Sequence, residues 1–296
     1  GNSSRQKIGK EFTNVFLLTN TSEGYKYQIS ASVTKKLDNN YNLTAAYTYG
    51  ISKDISNGVR NSPQANWEFN QTILPNNPNL AYSNSDIRHR ILIVVQKQFD
   101  WKKIGNTVLS FVYNMQSGSP YSYVYIGDIN RDGSPNNDLI YVPTSLADAN
   151  LTDIKDRNGN VVLTASQQWD NLSVYIQNDK YLKKRIGKYA DRNGARTPWN
   201  NQLDMKIIHT IPLKNKSRNI QVSFEAFNLS NLISKNWGRQ YFVPNLLNAN
   251  YQLLTLTGIS NSTKPNLNFN KPVTVPWQVD PISSRFQGQL TVRYNF

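Results

Sequence analysis

Tyr25-Lys26-Tyr27-Gln28-Ile29-Ser30-Ala31-Ser32-Val33-Thr34 runs through Leu37-Asp38-Asn39-Asn40 into Tyr41-Asn42-Leu43-Thr44-Ala45-Ala46-Tyr47-Thr48-Tyr49. Tyr25, Tyr27, Ile29, Ala31 and Val33 share one face, and Lys26, Gln28, Ser30, Ser32 and Thr34 share the other. A period of two is a strand, because successive side chains of a strand point to opposite faces. The alternation restarts after the tip, with Tyr41, Leu43, Ala45, Tyr47 and Tyr49 against Asn42, Thr44, Ala46 and Thr48. An Asp-Asn-Asn tip between two such runs predicts a hairpin, since Asn and Asp tolerate positive φ.

The same reading extends to both sides. The spacing predicts strands over Asp86–Phe99, Thr107–Met115, Leu203–Ile211, Ile220–Ala226 and Phe286–Phe296, with a weaker one at Phe12–Leu18, about eight in all. The middle of Asp86–Phe99 is apolar on both faces, so its orientation stays open. The connections are short at 37–40, 100–105 and 212–218, and long at 51–85, 118–198 and 231–284. Short and long alternate without exception. An antiparallel transmembrane β-barrel predicts this rhythm, with tight turns on the periplasmic side and long loops outside. A soluble sandwich or propeller has no reason to gather every long loop at one end. With that polarity Tyr25, Tyr27, Tyr47, Tyr49 and Trp199 fall at outer strand ends. Phe99, Trp101, Tyr294 and Phe296 fall at inner ends, where amphipathic rings anchor a membrane interface.

Composition agrees. The 296 residues carry 33 Lys and Arg against 19 Asp and Glu, a net charge of +14, and only 38% are apolar, with 17 Tyr, 11 Phe and 6 Trp. A barrel turns half of each strand toward water, which lowers apolar content without lowering aromatic content. The longest aliphatic run is Ile91-Leu92-Ile93-Val94-Val95, whereas a spanning helix needs roughly 20 apolar residues. With no Cys, disulfide scaffolds and thiolate zinc sites are excluded. Gly1-Asn2-Ser3-Ser4-Arg5 lacks a signal core, so the expectation is that a signal sequence lies upstream of this numbering.

Four segments carry a family resemblance. The alternating end Leu290-Thr291-Val292-Arg293-Tyr294-Asn295-Phe296 resembles the assembly signal of outer-membrane barrels, with Leu290, Val292, Tyr294 and Phe296 as its apolar face. Ser85-Asp86-Ile87-Arg88-His89-Arg90 resembles the segment that opens a strand after a long outer loop. Gly127-Asp128-Ile129-Asn130-Arg131-Asp132-Gly133, with Asn137-Asp138-Leu139-Ile140-Tyr141-Val142-Pro143, resembles an outer-loop motif. Phe224-Glu225-Ala226-Phe227-Asn228-Leu229-Ser230-Asn231-Leu232 resembles a penultimate strand and its exit. Together they resemble the C-terminal barrel portion of TonB-dependent outer-membrane receptors, the Oar-like and SusC-like branches.

The resemblance implies that residues 1–296 are the last part of one barrel of about 22 strands, with the plug domain elsewhere. It implies a multi-pass outer-membrane protein with a periplasmic C-terminus. It also implies TonB-energised movement of a large or scarce solute (glycan, peptide or protein). The implied partners are the TonB complex, the barrel-insertion machinery, outer-membrane lipid and a surface lipoprotein lid. A structural or adhesive barrel without a transport cycle is the alternative.

Catalysis finds little support. The sequence holds no G-x-S-x-G, H-E-x-x-H, Walker loop or G-x-G-x-x-G, and its two histidines, His89 and His209, lie far apart. His209 alternates with lipid-side residues and reads as interfacial. Basic residues gather at Lys102, Lys103, Lys214, Lys216 and Arg218 in the short turns. A second group, Lys180, Lys183, Lys184, Arg185, Lys188, Arg192 and Arg196, lies in the longest loop. These read as solvated surface, or as contacts to lipid phosphate, acidic cargo or a lid. Nucleic acid needs interleaved stacking aromatics on one platform, and no such motif surrounds Tyr181 and Tyr189, so no nucleic-acid partner is expected. Tyr121, Tyr123 and Tyr125 are expected to stack on cargo. Asp128, Asn130, Asp132 and Gly133 match the first half of a calcium loop, but its twelfth position is Leu139, with Asp138 one before it. Two readings stay open: a loose calcium site of Asp128, Asn130, Asp132 and Asp138, or an Asx-rich turn that satisfies its own backbone. No cofactor is required.

Overall fold

The computed structural model describes residues 11, 15–17, 19–56, 58, 60–102, 104–214, 218–244, 250–260, 264–270 and 275–296. Its long strands are β1 (Tyr25–Leu37), β2 (Tyr41–Asp54), β3 (His89–Asp100), β4 (Asn106–Gln116), β5 (Pro120–Ile126), β6 (Asn200–Pro212), β7 (Asn219–Phe227), β8 (Asn250–Ser260), β9 (Lys264–Asn268) and β10 (Gln287–Asn295). Seven of them form one antiparallel wall in the order β1-β2-β3-β4-β6-β7-β10, with the short strand Ala81–Tyr82 added beside β2. Of the expected first strand, Phe12, Thr13, Asn14 and Leu18 lie outside the described residues, as do Lys103 and Lys216 of the short turns. Residues 15–17 are not in a strand. Phe16 instead sets its ring edge-on to Trp67, with centroids 5.9 Å apart.

Register gives the wall two chemical faces. One row runs Lys36, Asn42, Gln96, Ser110, Lys206, Glu225, Gln289, each paired to the next across all seven strands. Beside it runs Leu37, Tyr41, Lys97, Leu109, Ile207, Phe224, Leu290 on the opposite face. Every residue of that second row except Lys97 is apolar or aromatic, and a one-residue slip would move a whole strand's set to the wrong face. The orientation left open for β3 is settled by its neighbours: Ile93 lies between Ala45 and Tyr113 on the apolar face. The lone cation of that second row, Lys97, lies 3.9 Å over the Tyr41 ring and donates to the Asn39 carbonyl, carrying its charge to the turn.

The 38–40 tip is the expected hairpin, with Asn39 and Asn40 at φ 59° and 62°. At the next short turn, Gly105 has φ +117°, and a Cβ there would stand 1.9 Å from the Thr210 carbonyl oxygen of β6. Only glycine allows the turn and the strand to approach so closely. Rings gather in two bands. Along the strand ends that carry the long loops Tyr25, Tyr27, Tyr49, His89 and Trp199 follow one another at centroid spacings of 6.3, 6.4, 5.3 and 5.7 Å. At the ends that carry the short turns and the C-terminal residue stand the pairs Phe99–Trp101 and Tyr294–Phe296. His209 lies toward the short-turn end, where its Nδ1 meets Thr107 Oγ1 at 2.9 Å.

Among the described residues the wall does not close on itself. Its ladder pairing takes β1 to β2 and β10 to β7, and β1 and β10 form its two edges. All 13 residues of β1 are exposed.

Candidate functional site in the long-loop domain

The loops predicted at 118–198 and 231–284 are not open loops. They fold together into a packed domain with a sheet of its own, in which β5 runs parallel to β8, β9 pairs with β8, and the short strand Ala195–Arg196 pairs with β5. One helix, α1 (Ala165–Asn178), covers it. Thr164 and Gln167 form a reciprocal capping box at its start, and Leu172, Tyr175 and Ile176 are buried along one stripe. The main buried apolar cluster of the described chain lies here, including Tyr123, Ile140, Leu172, Leu254, Leu267 and Phe269.

This packing corrects one expectation. Tyr121, Tyr123 and Tyr125 are 1%, 0% and 6% exposed, so their faces are not free to stack on a cargo. Tyr123 donates to Asp179 at 2.7 Å, and its ring meets Tyr121, Tyr175, Tyr181 and Tyr251. Burial holds their hydroxyls well above the usual phenol range. They are interior rings whose polar tips find partners inside the protein.

The Asp128–Asp138 segment also resolves. Asp128 accepts from the backbone N–H of Asp132 at 2.9 Å and of Gly133 at 2.7 Å. Asp132 accepts from the Ser134 N–H at 2.7 Å and from the amides of Asn130 and Asn137 at 3.0 and 3.2 Å. Asp138 accepts from the Ile129 N–H at 2.7 Å. Among the described residues no three His, Asp or Glu side chains gather as metal ligands would. The geometry therefore favours the self-satisfied turn over the calcium site, since a cation would have to displace these donors.

Burial first, then the nearby Asp132 and Asp128, push the Asp138 carboxyl up from 3.8 to about 7, against the lowering by its backbone donors. The folded loop thus binds a proton that the unfolded chain releases near pH 4. That stability is full below pH 4 and is lost as pH rises through 7. Protease cleavage of 118–198 should be slower at pH 5 than at pH 8, and Asp138→Asn should remove the difference. A calcium site would behave oppositely, because metal ligation needs ionised carboxylates; protection that grows with calcium at pH 8 would overturn the turn assignment.

Two buried ion-pair clusters fasten this domain to the wall. Asp86, just before β3, is 1% exposed. It is bound by the Arg196 guanidinium, by Arg88 at 3.2 Å and by the Ser52 N–H at 2.7 Å. Arg192, 2% exposed, pairs with Asp54 at the end of β2 at 2.6 Å and donates to Asn70 at 3.1 Å. Arg192 and Arg196 are therefore not solvated surface, as their basic run suggests. A third fastening explains the strand exit at Asn228-Leu229-Ser230-Asn231. Asn228 turns left-handed at φ 54°, and its amide donates to the carbonyls of Gly238 at 2.8 Å and Ser284 at 2.7 Å. It thereby ties the two ends of the third long loop together.

Between domain and wall lies a cavity of about 360 Å³. Asn114, Gln116, Asn200 and Gln202 of the polar face form one side, and Gln240, Tyr241 and Asp280 the other. The loops thus fold over the polar face, and that face is the inside of the wall. Residues 1–239 match the family model of the outer membrane beta barrel domain. This chain belongs to the outer-membrane β-barrel family. The comparisons with curated proteins and with solved structures return no match. The barrel assignment places the chain in the outer membrane, apolar face to lipid and polar face to the lumen.

Proposed function

We propose that this barrel wall belongs to a TonB-dependent receptor of the Oar-like or SusC-like kind, which moves a large or scarce solute across the outer membrane and is not an enzyme. The single observation that carries the reading is the open wall. Among the described residues the seven long strands of the wall present two unpaired edges, and a closed barrel needs partners for both. An open edge in a membrane leaves a row of backbone groups unsatisfied. A larger barrel of about 22 strands supplies those partners and leaves a lumen wide enough for a plug. The packed outer domain then forms one side of the vestibule, short turns and C-terminus face the periplasm, and the end Leu290–Phe296 is presented to the insertion machinery. A lipoprotein lid would rest on the outer domain.

The test uses the intact protein with whatever precedes Gly1. It should be retained on an immobilised TonB periplasmic domain. On whole cells, protease access to residues 118–198 should change when a protonophore removes the inner-membrane gradient. No retention and no change would leave the structural or adhesive barrel as the better account.

A further inference from the structure

A second cavity, of about 600 Å³, opens in the outer domain beside the outer aromatic band. Trp199 belongs to both: its ring stacks 5.7 Å from His89 on the lipid-facing side and also walls this cavity. The other ring walls are Tyr121, Tyr175, Tyr181 and Trp277, and Lys180 and Lys184 stand among the lining residues. Aromatic bands mark the headgroup level of a bilayer, so the cavity lies where headgroup and upper acyl chain meet.

Its charges are unequal. The one lining acid, Asp179, is turned into the protein, where it accepts from the Tyr123 hydroxyl and from the N–H groups of Tyr181 and Leu182 at 2.8 and 2.7 Å. Arg196 is held by Asp86. Lys180 and Lys184 are exposed and form no ion pair among the described residues. We propose that this cavity is a binding site for an anionic lipid of the outer leaflet, its phosphate on Lys180 and Lys184 and its acyl chain between Trp199 and Trp277. Apolar ring walls suit hydrocarbon, and two ammonium groups at one rim suit a phosphate. A soluble phosphate would use the lysines and leave the ring walls unused. The site is independent of whether the barrel moves a solute.

The experiment is native mass spectrometry of the intact protein in detergent, titrated with phosphatidylglycerol, with phosphatidylcholine or with glycerol phosphate. Phosphatidylglycerol should be retained in preference to phosphatidylcholine, and glycerol phosphate should not compete. Lys180→Gln/Lys184→Gln should weaken phosphatidylglycerol retention by roughly fivefold for each lysine, about 25-fold together. Both lysines are exposed, so the variant should fold, and an unchanged heat-dependent gel shift checks this. Trp277→Ala should weaken both lipids alike. Equal retention of the two lipids, or a preference that survives the double change, overturns the proposal. Competition by glycerol phosphate overturns it in favour of a soluble anion.

Discussion

Asp86→Ala should release the outer domain from the wall, at a cost of about 3–5 kcal/mol, the usual result of removing one partner from a buried ion pair. The change strands two guanidinium groups, of Arg88 and Arg196, against a side chain that is 0% exposed. It also leaves the Ser52 N–H without its acceptor. Asp86→Asn should cost less than the alanine, because its one amide oxygen still accepts either from the Ser52 N–H, which Oδ1 holds, or from the arginines, which Oδ2 holds. The measurement is urea-dependent protease cleavage of 118–198 in the intact protein, read separately from the heat-dependent gel shift of the barrel. The cleavage midpoint should fall while the gel shift stays. A midpoint within about 0.5 kcal/mol of wild type, the range of ordinary surface substitutions, would show that the domain is held by its apolar contacts alone.

How much of this was legible in the sequence differs between wall and outer domain, for a physical reason. The wall separates lipid from water across the thickness of one strand, so its faces alternate in the sequence itself, as in Tyr25–Thr34 and Phe286–Phe296. The segment that resisted, β3, places Leu92 and Val94 on the polar face, and only their pairing with Ala46, Asn114, Thr44 and Val112 shows which way they point. The outer domain gathers its core from distant pieces: Tyr123 against Tyr251, Leu151 bridged to Leu267, β5 parallel to β8. No window of ten or fifteen residues carries that information. Tyr-Ser-Tyr-Val-Tyr over 121–125 reads as an exposed polar-aromatic edge because phenols are amphipathic, and it is buried here because their hydroxyls find Asp179 and one another. In the same way Arg192 and Arg196 look like Lys180 and Lys184 in the sequence. They differ because Asp54 and Asp86, more than a hundred residues earlier, meet them. The Asp128–Asp138 motif was legible as two readings, and the backbone donors around it favour the turn.

The central claim is that one face of this wall meets lipid and the other meets water, and adjacent residues of the last strand test it most directly. Leu290 pairs with Phe224 in the apolar row and is 71% exposed on that face, whereas Gln289 pairs with Glu225 in the polar row. Leu290→Arg should cost roughly 2–4 kcal/mol near the bilayer midplane, because a guanidinium must then sit in hydrocarbon. Gln289→Arg should cost far less; its new charge faces water and stands across from the Glu225 carboxylate. The measurement is the folded fraction of intact protein against urea in lipid vesicles, read by the heat-dependent gel shift. A large loss for Leu290→Arg with a small change for Gln289→Arg is the predicted result. Equal losses, or the larger loss at Gln289, would contradict the assignment of the two faces.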